Sequence, residues 1–114
     1  MKELYRKRNN LFKVTELNHV GIAVLSLEEA VHTFSSKFGL KVSDRIDLKA
    51  GGLAMVLVET GNCILELMEP TNSSGTVAKF LEKQKRNSIH HIAFSVDSDL
   101  QSVAKDLGTL GIDM

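Results

Sequence analysis

Apolar and polar positions alternate along this chain in blocks that change period several times. Residues 17–24 (Leu-Asn-His-Val-Gly-Ile-Ala-Val) are β-branched or aliphatic without helical spacing, which predicts a strand. Ser26 then offers an N-cap, and Glu28 and Glu29 fall in the first turn, where the helix dipole favours carboxylates. Leu27, Ala30, Val31, Phe34 and Phe38 recur at helical spacing, and Gly39 stops that helix. Strands are expected over 40–49, 53–59 and 63–68, separated by the Gly51-Gly52 turn and the Gly61-Asn62 turn. The order so far is β-α-β-β-β. A polar connector runs from Pro70 to Gly75. A helix over 76–85 follows, with Val77, Phe80 and Leu81 as its apolar stripe. Residues 89–96 read as another strand. Asp97 to Gly111 reads as a helix carrying Leu100, Val103, Ala104, Leu107 and Leu110.

The strand at 89–96 (Ile-His-His-Ile-Ala-Phe-Ser-Val) is a near-copy of the strand at 17–24, offset by 72 residues. At the same offset Ser26 meets Ser98, Val31 meets Val103, Phe38 meets Leu110, Gly39 meets Gly111 and Leu40 meets Ile112. Such self-similarity indicates a fold built twice from one unit. The chain therefore divides into a basic lead-in over 1–16, a first βαβββ module over 17–70, a linker with its helix over 71–88, and the start of a second module over 89–114. The fold class expected is α+β with paired βαβββ modules, the second ending after its helix. If the repeat holds, counterparts of the strands 40–49, 53–59 and 63–68 are expected beyond Met114 or from another chain, the alternative being a truncated product, because a sheet lacking them leaves edges and an apolar face uncovered.

Composition narrows the functional classes. The chain has 114 residues, enough for one modest core. Its 14 basic and 14 acidic residues balance to zero net charge, which argues against nucleic acid held by bulk electrostatics. The linker-helix cluster Lys79, Lys83, Lys85 and Arg86 reads as a solvated face that could also meet phosphates of a ligand. One cysteine, Cys63, excludes an internal disulfide, reads as a small core residue and fits a reducing, cytoplasmic setting. No apolar run approaches the roughly 20 residues that span a membrane. Residues 1–13 are basic but lack an apolar segment, so they do not read as a secretory signal. A basic targeting helix is the alternative to a loosely docked lead-in.

The candidate chemistry lies on one face of the strands. Alternation puts Leu17, His19, Gly21 and Ala23 together, and Ile89, His91, Ala93 and Ser95 likewise. Val20, Ile22, Val24 and their counterparts Ile92, Phe94 and Val96 form the opposite, apolar set, suited to packing under helices. Small neighbours leave a hollow beside each imidazole. A lone strand histidine is more often a half-buried residue with a backbone partner, but two equivalent ones favour a shared site. On the fourth strand Ile64, Glu66 and Met68 share a face, so Glu66 is a charge between aliphatic neighbours, which is costly unless paired or bound to a cation. Two imidazoles and a carboxylate suit a divalent metal with open positions; Co, Ni, Zn, Mn and Mg all remain open. The bland reading of Glu66 is a solvated strand residue. His32 reads as surface, and His90 as pointing away from His91 toward a helix layer or an interface. Asp44, Arg45 and Asp47 read as solvated strand charges.

These stretches, with Gly39-Leu40-Lys41-Val42, the run from Gly61 to Pro70 and the run from Val77 to Lys83, resemble the vicinal oxygen chelate (glyoxalase-like) superfamily, and within it the methylmalonyl-CoA epimerase family. The resemblance covers nearly all of 17–112. It implies that His19, Glu66 and His91 are metal ligands and that a fourth, a glutamate, lies beyond Met114. A proton-transfer carboxylate of some members would fall near Ala54, which cannot act, so the catalytic base is unassigned. The implied activity is metal-dependent epimerisation of methylmalonyl-CoA through an enolate stabilised by a divalent cation. The implied partner is an acyl-CoA thioester, with a homodimer expected from paired modules and exposed edges. Neither nucleic acid nor membrane is expected as a partner. The alternatives are a lactoylglutathione lyase of the glyoxalase I type and a non-catalytic small-molecule or metal-binding member of the same fold.

Overall fold

A computed structural model describes residues 10–112, so residues 1–9 of the basic lead-in, with its reading as a targeting helix, lie outside the described residues, as do 113–114. The elements in order are β1 (Val14–Ala23), α1 (Leu27–Val31) running on into a π-helical turn (His32–Lys37), β2 (Lys41–Val42), β3 (Ile46–Leu48), β4 (Leu53–Glu59), β5 (Ile64–Pro70), α2 (Thr76–Gln84), β6 (Ser88–Val96) and α3 (Leu100–Thr109). The class is mixed α+β, and the β-α-β-β-β order is present, with the second strand in two pieces. Among the described residues no helix is long and apolar enough to cross a membrane.

The described residues fall into two compact units, one of residues 17–93 and one joining 10–16 to 94–112. The strands form one sheet in the order β2-β4-β5-β1-β6, with β3 also paired to β4. β1 runs parallel to β5, and β4 is antiparallel to β5, β2 and β3. In the larger unit each sheet face has its own core. On one face Val24, Leu27, Ala30, Ala54, Val56, Val58 and Leu67 are buried together with the inner side of α1. On the other, Ala23 and Met68 are buried against Val77 and Leu81 of α2. α1 and α2 thus cover opposite faces of the strands.

Local chemistry explains where the elements start and stop. Ser26 caps α1 by accepting from the Glu29 N–H, and the Glu69 carboxylate accepts from the Leu27 N–H, so two orphan donors of the first turn are satisfied. The expected helix to Phe38 does not continue as an α-helix. Thr33 donates its hydroxyl to the Glu29 carbonyl, and the Phe38 N–H reaches back five residues to Thr33. Hydroxyl back-bonding competes with the regular ladder, and the turn widens. The wider turn carries Phe38 off the apolar stripe, and it is 65% exposed rather than buried. Gly39, at φ +71, then ends the segment as expected.

The strand expected over 40–49 is broken at 43–45. Ser43 keeps contact with β4, its N–H donating to Leu57 O and its hydroxyl accepting from Leu57 N–H. Asp44, Arg45 and Asp47 are exposed, with an Arg45–Asp47 ion pair at 3.1 Å. β4 matches its expected span residue for residue, because strict alternation of half-buried and buried positions leaves one register. Ile92 and Phe94, expected to pack under a helix, are instead more than half exposed. β6 lies at the end of the sheet, beyond β1, whereas α1 lies over β4 and β5.

In the smaller unit, α3 is capped by Asp99, which accepts from the Ser102 N–H and hydroxyl, and Val103 is buried. The Lys13 N–H donates to the Asp97 carboxylate, and the Asp97 N–H to the Lys13 carbonyl.

Candidate metal centre

His19, Glu66 and His91 come from three adjacent strands, β1, β5 and β6. Parallel pairing of β1 with β5 sets Gly21 opposite Glu66, and His19 lies two residues earlier on the same face. The nitrogens His19 Nε2 and His91 Nε2 are 3.1 Å apart. His19 Nε2 is 3.8 Å from Glu66 Oε2, and His91 Nε2 is 3.8 Å from Glu66 Oε1. One donor atom from each lies within 4.8 Å of the other two; among the described residues this is the one such grouping of three His, Cys, Asp or Glu side chains. The side chains are 26%, 21% and 35% exposed for His19, Glu66 and His91, so a solute can reach them.

Gly21 makes this convergence possible. Neighbouring strands lie about 4.8 Å apart, so β6 is about two such steps from β5. His91 must lean across β1 to approach Glu66. Its ring lies over Gly21, where any added Cβ would collide with Cε1, Nδ1 and Nε2. The hollow expected beside the imidazoles is therefore occupied by the His91 ring itself.

Other expected residues fall elsewhere. His32 is exposed on the first helical segment. Cys63 is half-buried and free. His90 turns to the helix layer as expected, its ring meeting Phe80 of α2 edge-on at 5.0 Å, but it does not point away from His91: the two Nδ1 atoms are 2.9 Å apart. His90 is thus a neighbour of the site that strand alternation alone hides. Ala54 is fully buried on the α1 side of the sheet. The β4 residues nearest Glu66 on its face are Leu57, paired with Glu66, and Met55, paired with Met68, and neither of these can accept a proton. Glu59 shares the face at the far end of β4, opposite Ile64, and is ion-paired with Lys41 at 3.6 Å.

A sheet carrying two strand histidines and a glutamate on one face, in β-α-β-β-β order, defines the class. The chain belongs to the Glyoxalase/Bleomycin resistance protein/Dioxygenase superfamily, whose pattern matches residues 18–114. The relatives narrow this further. The mitochondrial methylmalonyl-CoA epimerase of Homo sapiens is 36% identical over 89 residues, covering 78% of this chain and 51% of that protein. The methylmalonyl-CoA epimerase structure from Mycobacterium tuberculosis superposes with a TM-score of 0.76 at 29% identity, over 95% of this chain and 71% of that one. A Streptomyces coelicolor methylmalonyl-CoA epimerase, in complex with 2-nitronate-propionyl-CoA, superposes with a TM-score of 0.74 at 26% identity, over 88% of this chain and 74% of that one. The chain spans about half the length of the curated mammalian relatives it matches.

Proposed function

We propose that this chain carries the metal-holding part of an epimerase of methylmalonyl-CoA, with His19, Glu66 and His91 as the ligands. The observation that carries the reading is the convergence of two imidazole nitrogens and a carboxylate, with 3.1 and 3.8 Å between donors, on an accessible patch of the sheet. Nitrogen and oxygen donors in this number suit a divalent ion with open positions. A divalent cation held there would supply Lewis-acid stabilisation of the negative charge that develops on a thioester oxygen when the adjacent α-carbon loses its proton. The strands hold the three donors before any ligand arrives, so little reorganisation is needed on binding. Glu66 supplies the anionic oxygen, and the two histidines supply neutral nitrogens. Met55 and Leu57 give the adjacent stretch of β4 an apolar lining, and the proton-transfer group is unassigned.

The reading extends to a homodimer, supported by the place of β6 last in the sheet order among the described residues, where Ile89 and Ile92 are exposed. It also extends to a cytoplasmic, reducing setting, supported by the single free cysteine.

The test is proton exchange. Methylmalonyl-CoA incubated with the purified chain and a divalent metal in deuterated water is expected to gain deuterium at its α-carbon. Turnover of the methylglyoxal–glutathione adduct would assign the lyase chemistry instead. Metal binding with neither reaction would assign a binding module. His19→Ala and His91→Ala are each expected to lower bound metal sharply with unchanged circular dichroism. Unchanged metal content in both would sink the shared-site reading.

A further inference from the structure

Two imidazoles can serve one cation only if both turn a lone pair toward it. A neutral imidazole has one N–H and one lone pair, and whichever nitrogen donates to a neighbour leaves the other free to ligate. His19 Nδ1 lies 2.9 Å from Asn18 Oδ1, an oxygen that only accepts. His19 therefore carries its proton on Nδ1 and turns the Nε2 lone pair inward. His91 Nε2 faces His19 Nε2 at 3.1 Å, and its Nδ1 lies 2.9 Å from His90 Nδ1. For His91 to present Nε2 as a lone pair, its Nδ1–H must donate to His90 Nδ1, and His90 must carry its own proton on Nε2. The His90 ring is held in turn. Phe80 meets it at 88°, from a helix anchored by Val77 and Leu81 in the core with Ala23 and Met68.

We infer that Asn18 and His90 are positioning residues that set the tautomers of His19 and His91, so that both rings present Nε2 to one point beside Glu66. The inference rests on the reading of His19 and His91 as metal ligands. His90 and Phe80 thereby link α2 to the site. A His91 ring resting over Gly21 has room to reach Glu66, and the His90 contact selects which nitrogen it offers there. Partners of this kind commonly alter metal affinity by about 10- to 100-fold when removed.

The experiment is nitrogen-15 NMR of the histidine side chains in the chain loaded with diamagnetic Zn(II), where a cation takes the place of the proton shared between the two Nε2 atoms, paired with Co(II) titration. The expected spectrum has Nδ1–H in His19 and His91 and Nε2–H in His90. His90→Phe keeps a flat ring but removes the acceptor. It is expected to release His91 from its Nδ1–H tautomer and to weaken Co(II) binding by about 10- to 100-fold. His90→Gln restores a carbonyl acceptor and is expected to recover most of the affinity, a rescue that a merely packing role would not give. Asn18→Ala is expected to act on His19 in the same way. An Nε2–H signal for either His19 or His91 in the unchanged protein overturns the inference. So does unaltered Co(II) affinity in both His90→Phe and Asn18→Ala, provided His91→Ala abolishes binding. Retained binding in His19→Ala and His91→Ala overturns the metal reading itself, and this inference with it.

Discussion

At the scale of single residues, the site depends on an absent side chain as much as on those present. Gly21 sits between Glu66 and His91 in the sheet, and its missing Cβ is the space His91 fills. Gly21→Ala is expected to leave the fold intact, because alanine is at least as well tolerated as glycine in an extended strand. It should push the His91 ring off Glu66 and weaken Co(II) binding by about tenfold or more. A Co(II) titration beside a thermal melt checks both halves, and an unchanged affinity would show that the ring has another way across β1. Leu67, fully buried on the α1 side, gives the contrasting case. Leu67→Ala is expected to cost about 2–5 kcal/mol through lost burial and a residual cavity, read by denaturant unfolding. That loss should lower stability without changing metal affinity per folded molecule.

At the scale of elements, two helix ends carry testable chemistry. Lys85 ends α2 in the left-handed region at φ 61, with its N–H on the Leu81 carbonyl. A side chain costs about 1–2 kcal/mol there, so Lys85→Gly is expected to raise stability by about 1 kcal/mol and lift the melting temperature by a few degrees. Asp99 starts α3. The Ser102 backbone N–H first, and then the Ser102 hydroxyl, hold its carboxyl below the ordinary value of 3.8. A carboxyl depressed in the folded state contributes stability that is complete above its unfolded pKa and is lost as pH falls through the folded one. Asp99→Ala should therefore speed amide exchange at Ser102 in neutral solution. The stability gap between the two proteins should close as pH drops below 3.8 toward the folded value. A gap that persists in acid would show that the cap acts through something other than its charge.

At the scale of the whole molecule, the metal reading has a thermodynamic consequence. An ion that binds only the folded chain stabilises it by mass action, about 2.7 kcal/mol at 100 times its dissociation constant. Divalent metal is expected to raise the melting temperature with concentration, and a chelator to reverse the shift. In His19→Ala and His91→Ala the shift should vanish. A rise of equal size in those variants would place the bound ion elsewhere.

Much of this was legible before any tertiary structure. Alternation within 53–59 marked β4 to the residue, and the near-repeat of 17–24 in 89–96 identified two equivalent histidines, because side-chain period is a local property of the backbone. The parity argument also placed His19, Gly21 and Glu66 on faces that the pairing of β1 with β5 makes common. Local period does not encode register between strands, competition for backbone carbonyls, or which strand lies at an edge. Those decided that His91 leans over Gly21, that His90 turns back beside it, and that Ala54 faces α1. They also decided that Phe38 leaves the apolar stripe in a widened turn and that Ile92 and Phe94 stay exposed on β6. The residues of the candidate site were written in the sequence. Their convergence within a few ångströms came from pairing strands distant in the chain, and only tertiary structure sets that pairing.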